Sequence, residues 1–515
     1  MPRLRAGLMV LLTAALVAGC TSGPGPSPDV TPTVPRAHPV MPEQQTTIVD
    51  GGDAVSLAVA TSKALFASAP AVVLLGGQDT DDIDQATQEA VELGVPLLLT
   101  PAPPAPESSA SATLAPAALP SDGPTDDPTR AEIARLGAGS AVTVGADAAT
   151  WAGGLSGVTL STVESAKPQV QRGEALSSLL VLAAGNATDA ASVATAKAAG
   201  AQVLTLGSYD PRATTASVQA VAAAAKAGPI GQVLALGSAF GSPDLLRQRL
   251  TIASTGVELP GGGQIVFPGR RMVALYGHPG DTILGALGEQ PLDATVTRAQ
   301  QVAAQYSSLY NEPVVPAFEI IATVASGTTG SNVFPEDTYR PYIDAAKAAG
   351  IYVVLDLQPG DTDFLTQAKL YQDLLLEPNV GLALDPEWRI QPGKQHMVNI
   401  GSVDASEINT TGAWLDQLVR DHNLPQKVFL LHQFRLDMIS NRQTLVTNYD
   451  NLRVLIHADG FGSPGAKDNT WNTLHIDAPP NIVWGWKNFY DEDQPTFTPQ
   501  QTVAMSPDIV FISYQ

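Results

Sequence analysis

The stretch IYVVLDLQPGDTDFLTQAKLYQDLLLEPNVGLALDPEW, residues 351–388, decides the fold. It opens on a short apolar run, 351–357, continues through a helical stretch, 361–376, and closes on a second apolar run, 380–385. Strand, helix, strand is the unit of a parallel sheet. Outward from it the same unit recurs. Apolar strands fall at 272–277, 314–320, 351–357, 380–385, 427–432, 453–457, 482–486 and 508–514, which makes eight. Helical stretches lie at 294–308, 335–349, 361–376, 406–422 and 441–451, with a short one near 498–505. Residues 461–480 read as a loop, and no eighth helix follows the last strand. Eight strands with crossovers predict a (β/α)8 TIM-type barrel over residues 268–515.

In such a barrel chemistry gathers where the strands end, because the loops converge there on one mouth. The polar residues at those ends are Tyr276 and His278, Glu319, Asp356, Asp385 with Glu387, His432 with Gln433, His457 with Asp459, Trp484 with Trp486 and Lys487, and Tyr514. Three of the seven histidines stand at these ends.

The sharpest local signal is Gly381-Leu382-Ala383-Leu384-Asp385-Pro386-Glu387-Trp388. An Asp and a Glu two apart, leaving an apolar strand beside a Trp, resemble the strand-four region of several barrel glycoside hydrolases. Glycosidic cleavage needs one carboxyl group to protonate the leaving oxygen and a second to attack or to activate water. On this reading Glu387 is the general acid and Asp385 tunes it. Asp356, Glu319 or Asp459 supplies the second carboxylate. Tyr276, His278, Trp388, His432, His457, Trp484, Trp486 and Tyr514 are the candidate substrate contacts, with Trp388, Trp484 and Trp486 stacking on sugar rings. Asp-Pro-Glu is also a common helix opening, with Asp as the cap. Pro392 would stop such a helix almost at once.

Rival chemistries find less support. Tyr276-Gly277-His278-Pro279 supplies one histidine rather than His-x-His, so no metal is expected. Gly277-His278-Pro279-Gly280 resembles the opening of glycerophosphodiesterases, but Pro279 stands where that family has Arg. No Gly-x-Ser-x-Gly elbow occurs.

The first half carries one pattern twice, about 107 residues apart. Val73-Leu74-Leu75-Gly76-Gly77 leads to Asp82, a helical stretch ending at Gly94 and the run 96–100. Leu180-Val181-Leu182-Ala183-Ala184 leads likewise to Asp189, a helical stretch ending at Gly200 and the run 202–206. Each copy closes with a further helix and strand, at 133–145 and 218–237. The expectation is α/β throughout: a duplicated Rossmann-like parallel domain over 45–262, then the barrel. Gly261-Gly262-Gly263 reads as a flexible joint between them.

The segment 72–145 resembles the cell-wall-binding repeat 2 family. The resemblance rests on Leu93-Gly94-Val95-Pro96-Leu97-Leu98-Leu99-Thr100-Pro101 and on Leu136-Gly137-Ala138-Gly139-Ser140-Ala141-Val142-Thr143-Val144-Gly145. The chain departs from the family at 52–58, where only the final Ala of the Arg-Tyr-x-Thr-Ala run survives, and in a Pro- and Ser-rich insertion at 102–129. The resemblance implies binding to a cell-wall polymer. A nucleotide cofactor is not expected, because neither Gly-x-Gly-x-x-Gly after a strand nor a Gly-Lys-Ser/Thr loop occurs.

Residues 1–19 read as a lipoprotein signal peptide: Arg3 and Arg5, an apolar run too short to span a bilayer, then Val17-Ala18-Gly19-Cys20, which resembles a lipobox. Cys20, the only cysteine, is the expected acceptor of a diacylglyceryl thioether and of palmitate-type acylation, so disulfides are excluded. Residues 20–44 read as the lipidated Cys and a Pro- and Ser-rich tether. The expected location is extracytoplasmic, lipid-anchored to the cell membrane.

A formal net charge of −22 opposes phosphate backbones, so nucleic acid is not an expected partner. Wall or envelope polysaccharide is, held by hydrogen bonds and aromatic faces. Two functions fit these readings: a glycoside hydrolase of the envelope, or a non-catalytic wall-binding or scaffold lipoprotein.

Overall fold

The computed structural model describes residues 34–77, 80–102 and 127–515. Cys20 and the signal peptide lie outside the described residues, as does most of the Pro- and Ser-rich insertion. Among the described residues no helix is long and apolar enough to cross a membrane.

The first half contains two four-stranded parallel sheets. Eight strands build them: β1 Thr46–Val49, β2 Ala71–Gly76, β3 Leu97–Thr100, β4 Ser140–Val144, β5 Thr159–Thr162, β6 Leu180–Ala183, β7 Gln202–Thr205 and β8 Val233–Leu236. One sheet has the order β3-β2-β4-β5 and the other β1-β8-β6-β7. Helices Ile83–Leu93 and Ala190–Ala198 pack against each other through small buried residues, among them Ala86, Ala90, Ala191 and Ala194. Thr195 ties the second helix to the first sheet: its Oγ1 accepts from Leu97 N and donates to Leu97 O, both at 3.0 Å.

The last part of the expected tether is folded. Ala37 is fully buried, Ala37 N donates to Gln171 O, and His38–Pro39 pairs with Phe66–Ser68. A Pro-rich composition does not forbid an edge strand, since proline is tolerated at sheet edges.

The second half is the expected barrel. Its strands are β9 Arg271–Gly277, β10 Val314–Ser326, β11 Tyr352–Leu357, β12 Val380–Leu384, β13 Lys427–Gln433, β14 Leu452–Ala458, β15 Val483–Asn488 and β16 Ile509–Tyr514. Each pairs in parallel with the next, and β9 with β16 closes the ring. Because side chains alternate across a strand, every second residue points inward. The lower interior is apolar, filled by Met272, Ala274, Ala317, Val354, Ala383, Leu430, Leu455 and Phe511. Leu259, Val266 and Phe267 from the preceding segment join this cluster.

Between the halves, Gly261, Gly262 and Gly263 all have positive φ, 86°, 91° and 63°, which only glycine adopts in succession without strain. This run is a pinned turn rather than a loose joint. Gly263 N donates to Glu258 Oε2, Gly262 N to Leu259 O, and Arg270 binds the carbonyls of Pro260 and Gly262.

Two expectations in the barrel, one helix and one loop, are corrected. Residues 441–451 form only a 3-10 turn, Arg442–Thr444, after Asn441 at φ 54°. The rest stays irregular because its polar groups are taken elsewhere: Asp450 pairs with Arg212 and Arg249, and Asn451 N donates to Asp416 Oδ1. The expected loop at 461–480 instead holds a helix, Pro464–Leu474, capped by Ser463 with proline in the first turn.

Candidate functional site

Above the apolar layer lies a polar one, with an inward side chain from every stave: Tyr276, Glu319, Asp356, Asp385, His432, His457, Lys487 and Ser513. All are buried. Gly485 makes room for it, since a Cβ there would stand 2.8 Å from His457 Cδ2.

His432 is the hub. Its Nε2 lies 3.0 Å from Glu319 Oε1 and 3.7 Å from Asp356 Oδ1, and its Nδ1 lies 3.0 Å from Asp459 Oδ2. His457 Nδ1 is 3.6 Å from the same Glu319 oxygen, and its Nε2 is 3.3 Å from Ser513 Oγ. Tyr276 donates to Asp356 Oδ2 at 3.0 Å, while Lys487 Nζ sits 3.3 Å above the Tyr276 ring. Glu319, His432 and His457 could share one metal ion, their donor atoms lying within 4.8 Å of one another.

Over this layer opens a cleft of about 490 Å³. Tyr276, Asp385, Glu387, Asp459 and Lys487 line its depth, and Trp388, Phe434, Phe461 and Phe489 give it aromatic walls. Glu387 and Trp388 belong to a 3-10 turn, Pro386–Trp388, at the end of β12. Asp385 caps that turn by accepting from Glu387 N at 3.1 Å, so the capping role is realised without a helix.

The electrostatics separate the acids. Burial raises the Glu387 carboxyl to about 7, helped by the charge of Asp459. Burial, with Asp356 and Glu387 nearby, pushes Asp385 well above the usual carboxylate range. It also lifts Asp356 to about 6, with the Glu319 charge adding to the rise. For Glu319 and Asp459 burial is outweighed. His457 and His432 hold Glu319 low, and the hydrogen bond and charge of His432, with Lys487, hold Asp459 low. Burial disfavours a charged His432, yet Asp356 and Glu319 keep the ring's pKa well above the ordinary value. Burial lowers His457.

The expected site residues therefore divide. Asp385, Glu387, Asp459, Tyr276 and Trp388 meet at the cleft. Glu319, Asp356, His432 and His457 lie sealed in the layer beneath it, so they do not touch a ligand in the cleft directly. Trp484 and Trp486 face the opposite way, packed on Trp471 at 5.6 and 5.5 Å, and cannot stack on a sugar. Tyr514 points outward too, its hydroxyl 2.6 Å from that of Tyr306. His278 is buried against Phe334, with Nδ1 2.8 Å from Ile321 O. Phe434, Phe461 and Phe489 were not expected here. A signal existed for Phe461, which follows Asp459-Gly460 directly after a strand end.

No family model matches the chain, and no curated protein matches it. Among solved structures, a xylanase and alpha-amylase inhibitor protein from Scadoxus multiflorus aligns at 12% identity and a TM-score of 0.29. The alignment covers 47% of this chain and 92% of that one. Cwp6 from Clostridium difficile aligns at 11% identity and a TM-score of 0.30, over 56% of this chain and 64% of that one. Resemblance at this level carries neither fold nor function. The mixed α/β architecture and closed parallel barrel rest on this chain's own strand pairing.

Proposed function

We propose that this chain is a cell-envelope protein that holds a wall or envelope polysaccharide and hydrolyses it in the barrel cleft. One observation carries the reading: Asp385, Glu387 and Asp459 line a single aromatic-walled cleft at the strand ends. Glu387, the least buried of the three, is the general acid, raised to about 7 and so keeping a large protonated fraction up to neutral pH. Asp459, accepting from His432 Nδ1, is the ionised partner that attacks or activates water. Trp388 and Phe461 offer faces to the sugar rings, alongside polar lining residues such as Gln358, Thr470 and Gln515 for the hydroxyl groups.

In the same reading residues 45–262 are a duplicated wall-binding module and residues 268–515 the catalytic one. The matching strand orders of the two sheets support a duplication, with β1 taking the outer place in the second sheet that β5 takes in the first. Residues 1–19 direct export and Cys20 anchors the chain to the membrane by lipid. The test is incubation of the purified protein with fractionated wall glycans, comparing wild type with Glu387→Gln for released reducing ends. Release by wild type alone supports the hydrolase. Retained pull-down with no release by either sinks it.

That second outcome defines the other reading, a binder without chemistry. It is favoured by Asp385, which caps a turn, and by the sealing of Glu319 and Asp356 below the cleft.

A further inference from the structure

Beneath the cleft floor, four side chains from four different staves converge with no exposure to solvent: Glu319 of β10, Asp356 of β11, His432 of β13 and His457 of β14. Glu319 Oε1 and Oε2, Asp356 Oδ1, His432 Nε2 and His457 Nδ1 are all buried and without a hydrogen bond. His432 Nε2 approaches Glu319 Oε1 at 3.0 Å without the alignment of a hydrogen bond. A buried polar group left unmatched is rare in a folded protein and asks for a missing partner.

We propose that this cluster is a binding site for one divalent transition-metal ion, held by Glu319, His432 and His457, with Asp356 as a fourth ligand. Metal bonds of about 2.0–2.2 Å to nitrogen and carboxylate oxygen in a tetrahedron put neighbouring ligand atoms about 3.4 Å apart. The separations from His432 Nε2 to Glu319 and Asp356 are 3.0 and 3.7 Å, and that from His457 Nδ1 to Glu319 is 3.6 Å.

The surroundings are those of ligating histidines. Each ring has its other nitrogen engaged, His432 Nδ1 by Asp459 Oδ2 and His457 Nε2 by Ser513 Oγ. A proton on each of those nitrogens leaves Nε2 of His432 and Nδ1 of His457 as the metal-facing lone pairs. Such outer partners fix the tautomer and orientation of metal-bound imidazoles. Two nitrogens and two carboxylate oxygens suit Zn²⁺ and its neighbours better than Mg²⁺ or Ca²⁺, which prefer oxygen alone. Sealed below the cleft, the ion would join four staves and steady Asp459 through His432. This holds whether or not the cleft above cleaves a glycan.

The test uses the untagged full-length protein, stripped with a chelator and dialysed against Zn²⁺ or Co²⁺. The expected result is one tightly held equivalent per chain by elemental analysis, a thermal midpoint that rises on reloading, and a Co²⁺ absorption spectrum of four-coordinate intensity. Glu319→Gln and His457→Gln, close in size to the native residues, should each lower the affinity for Zn²⁺ at least tenfold. His278→Gln, at a buried histidine outside the cluster, should leave it unchanged. Absence of a bound equivalent in wild type overturns the proposal. So does a Co²⁺ spectrum or zinc content that survives the Glu319→Gln, His457→Gln double variant.

Discussion

His432 Nδ1 and Asp459 Oδ2 stand 3.0 Å apart, joining the end of one stave to the loop after the next. The contact couples the sealed polar layer to the cleft, since Asp459 lines the cleft while it binds the fully buried His432. Replacing Glu387 or Asp459 should therefore damage turnover, but by different routes. Glu387→Gln removes the proton donor, and loss of a general acid costs roughly 10²–10⁴-fold in rate. Its thermal midpoint should stay near wild type because Glu387 is partly exposed. Asp459→Ala should lose comparable activity and also melt earlier, because His432 then keeps a buried N–H with no acceptor. Reducing-end release and thermal unfolding on both variants check this. Equal melting points would mean that the contact holds nothing in place.

The pH dependence follows from the same geometry. A general acid works only while protonated, so with Glu387 at about 7 activity should fall as pH rises through neutrality. An ordinary glutamate would lose its proton near 4.3 and leave little activity at pH 6. The positive charge of Lys487 holds Glu387 lower than burial and Asp459 alone would set it. Lys487→Met should thus move the basic limb of the rate profile to higher pH. A limb that stays put, or moves down, would remove Glu387 from the role.

The tryptophans separate binding from stability. Trp388 lines the cleft, half-buried and 5.6 Å from His396. Trp388→Ala should weaken glycan binding several-fold, in line with about 0.5–1.5 kcal/mol for an aromatic contact, and leave the fold intact. Trp484 lies on the other face of its strand against Trp471 and His475. Trp484→Ala should cost about 3–5 kcal/mol of stability. Glycan titration beside urea unfolding distinguishes the two, and a binding defect in Trp484→Ala without a stability defect would contradict the orientation assigned to it.

That orientation was legible in principle. Lys487 faces inward, so a period of two places Trp484 and Trp486 outside, just as Ser513 inside places Tyr514 outside. All eight staves could be read because each is a short, mostly apolar run with a polar residue at or near its end. Depth was not legible. Glu319 and Asp459 both read as acids at strand ends, yet β10 runs on to Ser326 and leaves Glu319 mid-strand under the floor, while Asp459 follows the end of β14 and faces the cleft. The helix Pro464–Leu474 escaped notice because Gly465, Asn469, Thr470 and Asn472 are weak helix formers, although Ser463-Pro464 marks its start. Residues 441–451 misled in the opposite sense, since Asp450 and Asn451 are claimed by side chains 200 or more residues away, Arg212 and Gln248 among them.

Lys427 offers a test of the barrel that needs no substrate. Its ammonium group is fully buried at the start of β13 and donates to the carbonyls of Glu377 and Val380 at 2.8 and 2.7 Å. Burial lowers its pKa to about 7, against a partial rise from Glu377. Between about 7 and the ordinary lysine value of about 10.4, the unfolded chain holds a proton that the folded chain has shed. Because the unfolded state then binds more protons, stability from this group increases with pH across that window, by at most about 1.4 kcal/mol per unit. Below 7 both states are protonated and the contribution is flat. Lys427→Met removes the titration, while other groups titrate alike in both proteins. The stability difference between wild type and Lys427→Met, taken from urea midpoints at pH 7, 8 and 9, should therefore grow in favour of wild type. A difference that stays constant over those three pH values would mean that the buried amine keeps its ordinary proton affinity.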